Sequence, residues 1–234
     1  MGYSAKLNRR TAVGEGTMVL VVQKPESFRF RAGQYADLSL SALPGPEGSR
    51  TFSLASAPGD PELVFATRAG SSSFKRALAA LPPGAELSLT EPMGSFILRP
   101  DDGGVSVLIA GGMGITPFRS MIRDAEQSGS GRKLLLFYAD ENPRRAVFLQ
   151  ELQGLAQEFA GEGLRIVPVL ADPEGTGAEP GRLSGETLRR YIPDLGAPSF
   201  YLAGSPEMVL DLREELSRLG ADDDRVFSEE ISGY

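Results

Sequence analysis

Val105-Ser106-Val107-Leu108-Ile109-Ala110-Gly111-Gly112-Met113-Gly114-Ile115-Thr116-Pro117 is the stretch that decides the fold. Residues 105–110 form a short apolar run, the pattern of a strand covered on both faces. Past the glycines, Ile115, Phe118, Met121, Ile122 and Ala125 fall on one face of a helix, with Pro117 in its first turn. Glycines let a backbone approach a pyrophosphate closely, and a helix N-terminus offers it unpaired N–H groups. The glycines do not follow the G-x-G-x-x-G spacing, so by spacing alone a tight turn and a phosphate cradle read equally well. Position favours the cradle, because ligands bind at the carboxyl edge of such sheets.

Downstream, strands are predicted over 134–138, 164–170, 200–203 and 225–227. Helices are predicted over 184–192 and 206–219, and a third from Phe148, Leu152, Leu155, Ala156 and Phe159, closed by Gly161. Strands alternating with helices imply a parallel sheet. Tyr201-Leu202-Ala203-Gly204-Ser205-Pro206-Glu207-Met208 repeats the strand–turn–helix pattern and supplies a second edge for one ligand. The 172–181 stretch reads as a surface loop.

Upstream, short runs over 17–22, 34–40, 51–55, 62–67 and 85–89 lie between Gly, Pro and Ser clusters. Such spacing predicts an antiparallel barrel or sandwich. One helix interrupts it over 72–81, carrying Phe74, Leu78 and Leu81. The boundary falls at Asp101-Asp102-Gly103-Gly104, giving domains 1–100 and 101–234.

Composition narrows the chemistry. The 234 residues include no Cys and no His. Thiol nucleophiles, cysteine-ligated clusters, histidine-ligated haem, a Ser-His-Asp triad and the usual zinc sites are excluded. Redox chemistry would need a non-covalent organic cofactor. The net charge of −7 argues against nucleic acid as a partner. No apolar run approaches the roughly 20 residues that span a bilayer, and the N-terminus lacks a signal-peptide core. The expectation is a cytoplasmic protein with no membrane partner and no metal.

Together these segments resemble the ferredoxin–NADP⁺ reductase superfamily, and are particularly similar to its compact bacterial FAD-dependent members. Arg50-Thr51-Phe52-Ser53 resembles the family's Arg-x-Tyr-Ser flavin motif, with Phe52 in place of tyrosine. Phe65-Ala66-Thr67-Arg68 and Gly70-Ser71-Ser72-Ser73-Phe74 resemble its second flavin segment, and Pro92-Met93-Gly94-Ser95-Phe96 its barrel-closing turn. The resemblance implies an N-terminal antiparallel Greek-key β-barrel for flavin, followed by a parallel-sheet α/β dinucleotide-binding domain. It implies FAD, with FMN as the alternative, and NADH or NADPH as co-substrate. Hydride would pass from nicotinamide C4 to flavin N5, then electrons to a separate redox protein such as a ferredoxin.

By the same resemblance, Arg50, Thr51, Phe52, Ser53, Ala66, Thr67, Gly70, Ser72, Ser73 and Phe74 bind the flavin. Gly111, Gly112, Gly114, Ile115, Thr116, Pro117, Tyr138, Asp140, Arg144, Gly204, Ser205, Pro206 and Met208 bind the nicotinamide nucleotide. Ser53 and Glu230 give polar assistance, and Tyr234 covers the flavin ring. Two departures bear on function. Ala203-Gly204-Ser205 replaces Cys-Gly-Pro, which motivates an alternative: a flavin-binding relay subunit without efficient NAD(P)H turnover. Asp140-Glu141 replaces Asn-Arg and favours NADH, whereas nearby Arg144 and Arg145 argue the other way.

Overall fold

The computed structural model describes residues 2–43, 45–100, 103–159, 163–173 and 175–231. Two six-stranded sheets form, in two compact units.

The first sheet is antiparallel and contains β1 (Gly2–Val13), β2 (Thr17–Gln23), β3 (Tyr35–Leu40), β4 (Ser49–Ser53), β5 (Glu62–Arg68) and β6 (Glu86–Thr90). Its order is β4-β3-β6-β1-β2-β5. Just past β4, Ala55 N–H donates to Val64 O on β5 at 2.8 Å, which brings the two edges together. β3, β4 and β5 are then neighbours and β6 returns beside β3, the Greek-key order. Inside lie Leu7, Leu20, Phe28, Leu38, Phe65 and Leu89, each nearly solvent-free. Burying such a side chain stabilises by about 1.5–3 kcal/mol. Helix α1 (Ser73–Ala80) crosses with Phe74 and Leu78 turned into this core.

The second sheet is entirely parallel. It contains β7 (Val105–Gly111), β8 (Lys133–Asp140), β9 (Leu164–Leu170), β10 (Glu179–Pro180), β11 (Ser199–Gly204) and β12 (Val226–Glu230). The order β10-β9-β8-β7-β11-β12 runs outward from β7 in one direction and then restarts on its other side with β11. The helices are α2 (Ile115–Gln127), α3 (Leu149–Glu158), α4 (Gly185–Tyr191) and α5 (Pro206–Arg218). Leu188 of α4 and Leu212 and Leu216 of α5 cover Val107, Phe137, Val167 and Leu202.

The structure revises several expectations. β1 was not foreseen, because its alternation is confined to Tyr3, Ala5 and Leu7 and the residues from Asn8 to Ala12 are all exposed. β4 begins at Ser49 rather than 51, and β12 runs on to Glu230 rather than ending at 227. The 172–181 loop contains β10, which pairs with β9. α3 starts after Phe148, whose φ of 65° stops the helix from extending backward. Gly161 lies outside the described residues.

The division into two contiguous domains also changes. The first unit runs to Leu98 and takes in Thr116–Gln127 of α2. The polar side of this helix explains why. Arg119 donates to Ala55 O, Ser120 Oγ donates to Ser56 O at 2.6 Å, and Arg123 pairs with Asp60.

Candidate functional site

In the α/β unit, β7 and β11 lie side by side where the strand order reverses. Their carboxyl ends are Gly111 and Gly204, and a Cβ on Gly204 would stand 3.4 Å from the Gly111 Cα. Chains leave such a point in opposite directions and open a crevice between them. Beyond β7, Gly112 takes φ 52° in a 3-10 turn over Gly112–Gly114. A Cβ on Gly114 would lie 2.0 Å from Ala203 O, so this glycine is required for backbone packing. Ser205 caps α5 by accepting from Met208 N–H at 3.3 Å, with Pro206 in the first turn.

A cavity of about 540 Å³ opens at this edge. Of the expected residues, Gly111, Gly112, Asp140, Ser205 and Met208 line it. The others do not line it. Ile115, Thr116 and Pro117 are buried in the start of α2, and Gly114 and Gly204 serve close packing. Tyr138 is fully buried, with its hydroxyl donating to Val147 O at 3.1 Å, so it is an interior residue. Arg144 is exposed beside the cavity's acidic turn, and Pro206 belongs to the helix start. Sequence reasoning missed Arg182 and the α5 carboxylates Glu207, Asp211 and Glu215. The latter are spaced by four residues, a legible signal that they share one helix face.

β12 carries two adjacent glutamates with opposite fates. Glu230, the expected polar assistant, is exposed. Glu229 pairs in register with Ala203, and its buried Oε2 has no hydrogen-bond partner among the described residues. Burial pushes its carboxyl up to about 7. It is therefore the perturbed acid of this sheet edge. Tyr234 lies outside the described residues.

In the barrel unit, the two expected flavin segments meet. The Arg50 guanidinium is 5.4 Å from the ring of Phe74, in the first turn of α1. It donates to the carbonyls of Ser49, Pro46 and Glu47 at 2.6, 3.2 and 3.3 Å and remains exposed. Ser72 caps α1 by accepting from Lys75 N–H at 3.2 Å. Gly70 and Ser72 are exposed and Ser73 is half-buried, so the loop opening α1 is accessible. Thr51 is exposed and donates to Asp37.

Phe52 is placed differently from expectation. It is 3% exposed and packs on Phe65 and Phe74 at 6.1 and 6.0 Å between ring centres. Little of its surface is exposed, and Phe74 is equally enclosed. Ala66 and Thr67 are 1% exposed and present no side chain. Ser53 is 7% exposed. Its register partner Tyr35, which sequence reasoning passed over, is half-buried on the same face.

A parallel sheet with a glycine-lined crevice at its reversal point defines a dinucleotide-binding α/β protein, here preceded by a Greek-key barrel. Comparison with known proteins agrees. The oxidoreductase NAD-binding domain family matches residues 108–214. Ferredoxin–NADP reductase B of Sorangium cellulosum is 36% identical over 196 residues, covering 81% of this chain and 80% of that protein. The reductase component of propane 2-monooxygenase from Rhodococcus jostii is 30% identical over 221 residues, covering 89% of this chain and 57% of that protein. The solved Amycolatopsis cytochrome P450 reductase GcoB superposes with a TM-score of 0.86 at 27% identity, over 98% of this chain and 69% of that one. The chain belongs to the ferredoxin–NADP reductase superfamily. It spans 57%, 64% and 64% of the length of three oxygenase-system relatives. No helix among the described residues is long and apolar enough to cross a membrane.

Proposed function

We propose that this chain is an FAD-dependent NAD(P)H oxidoreductase that passes electrons from the nicotinamide to a separate redox protein. The observation that carries the reading is the convergence of Arg50 on the start of α1, together with the glycine crevice between β7 and β11.

The residues fit an anionic dinucleotide in the barrel unit. Arg50 offers a planar guanidinium already held by three carbonyls, and the α1 start adds backbone N–H groups. Thr51, Gly70, Ser72 and Ser73 complete the accessible lining, while Phe52, Ala66, Thr67 and Phe74 form the wall behind it. When bound, FAD supplies hydride acceptance and the release of electrons singly or in pairs.

The chain's own work is binding, alignment and proton placement. Gly111, Gly112 and Ser205 receive the nicotinamide nucleotide at the sheet edge. Ser53 provides a hydroxyl, and Glu229, rather than the exposed Glu230, provides a carboxyl able to hold a proton near neutral pH. The relatives named as reductase components of oxygenase systems support a protein acceptor such as a ferredoxin or an oxygenase. With no membrane-spanning helix among the described residues, a cytoplasmic location accords with this role.

The test is an anaerobic visible-absorption titration of the FAD-loaded protein with NADH and with NADPH. Rapid bleaching by at least one is expected. Bound flavin that neither nucleotide reduces would replace this reading with the relay subunit, and failure to retain FAD or FMN would remove both.

A further inference from the structure

The cavity at the β7–β11 edge has a strongly biased charge. Five carboxylates line it: Asp140 at the tip of β8, Glu141 beside it, and Glu207, Asp211 and Glu215 on α5. Arg182 is the only cationic lining residue among those described. The sequence left two arginines to argue against this bias, and the structure places both. Arg144 is exposed and outside the lining. Arg145 Nε lies 3.1 Å from Glu141 Oε2 and 3.8 Å from Asp140 Oδ1, so its one charge is shared between two of the carboxylates and leaves the lining acidic on balance.

From this arrangement we infer that the cavity selects NADH and rejects NADPH by electrostatic exclusion of the 2′-phosphate. The inference rests on the reading of this cavity as the nicotinamide-nucleotide site. A phosphomonoester carries roughly −1.5 to −2 charges at pH 7. Placed in a crevice walled by carboxylates, it meets repulsion that a ribose hydroxyl does not. Asp140 also stands at the carboxyl end of the strand next to the glycine turn, the place of the ribose-facing acid in such folds, and its side chain is 5% exposed, so its charge is little screened by water. Its Oδ1 accepts from Glu141 N–H at 2.8 Å, which fixes the carboxylate's direction. The acids do not form a cation site, since no group of three or more metal-ligating side chains assembles among the described residues.

Two measurements on the FAD-loaded full chain test this. Anaerobic stopped-flow reduction should give NADH an efficiency at least about tenfold above NADPH, the difference lying in apparent Kd and shrinking with added salt. Calorimetric titration should show 5′-ADP binding about tenfold or more tightly than 2′,5′-ADP. Equal or reversed preference in both, with flavin still reduced, overturns the selectivity alone. No reduction by either nucleotide and no binding of either fragment overturns the site reading with it. Glu207→Gln combined with Asp211→Asn alters only exposed charges and should narrow the preference several-fold. An Asp140→Ser, Glu141→Arg pair should narrow it by about tenfold or reverse it. An unchanged ratio in both variants would refute the assignment.

Discussion

Arg123 grips Asp60 with two nitrogens, Nη2 at 2.8 Å from Oδ1 and Nε at 3.1 Å from Oδ2. Gln127 Nε2 donates to the same Oδ1 at 2.7 Å, and Ala57 N–H to Oδ2 at 2.8 Å. Together they clamp the loop that follows Ser53 onto α2. Burial alone would raise the Asp60 carboxyl, but Arg123, the Ala57 N–H and Gln127 outweigh it and hold it below the usual range. A lowered acid contributes stability above its unfolded pKa and loses it as pH falls through the folded value. Asp60→Asn should therefore cost about 2–3 kcal/mol at pH 7, and the gap to wild type should narrow as pH falls below the ordinary carboxylate value of 3.8. Denaturant unfolding across that range measures it, and a gap independent of pH would refute the account.

Two glycines of one turn should tolerate alanine very differently. At Gly114 the new Cβ would meet Ala203 O at 2.0 Å and Ala203 C at 2.4 Å, both backbone atoms of a central strand. At Gly111 it would meet the Met208 sulfur at 2.1 Å, on a flexible side chain that can swing away. Gly114→Ala should cost about 2–3 kcal/mol and weaken nucleotide binding, whereas Gly111→Ala should cost about 1 kcal/mol or less. Thermal unfolding ranks the two, and equal costs would contradict this packing.

The β/α alternation after Val105 was legible because two-sided burial leaves continuous apolar runs and each helix keeps its own apolar stripe. The glycine turn and Ser205 could be read from their position between strand and helix. β1 could not, since its alternation spans only Tyr3, Ala5 and Leu7 and then gives way to an exposed polar run. The burial of Phe52 and Tyr138 was not legible for a shared reason: a motif gives a residue type and a place, while the pleat and neighbouring groups decide which way it faces. Nor does adjacency in sequence separate Glu229 from Glu230; one position along a strand reverses the face.

Among the described residues, the hydrogen bonds of Arg50 go to carbonyls of its own loop, at residues 46, 47 and 49, and its one ring contact is with Phe74. Its removal should leave the fold nearly unchanged, within about 0.5–1 kcal/mol. If the guanidinium receives a cofactor phosphate beside α1, Arg50→Ala should raise the FAD dissociation constant about tenfold to a hundredfold. Arg50→Lys should recover only part of this, because an ammonium lacks the planar fork. Equilibrium dialysis against FAD decides; unaltered affinity in the alanine variant would remove Arg50 from the site.

Glu229 should leave a pH signature opposite to that of Asp60. Its carboxyl rises from 4.5 to about 7 because burial penalises the charged form. Below pH 4.5 it is neutral both folded and unfolded and makes no difference. Between 4.5 and 7 the unfolded chain ionises first, so the fold loses stability as pH rises, and above about 7 the loss is complete. Glu229→Gln keeps the shape and removes the charge. It should match wild type near pH 4 and exceed it by on the order of 2–3 kcal/mol at pH 8. If this carboxyl also holds a proton during turnover, wild-type reduction kinetics should show an inflection near pH 7 that the variant lacks. Unfolding free energies and reduction rates measured over pH 4–9 separate the two roles. A variant no more stable than wild type at pH 8 would show that Glu229 is solvated after all.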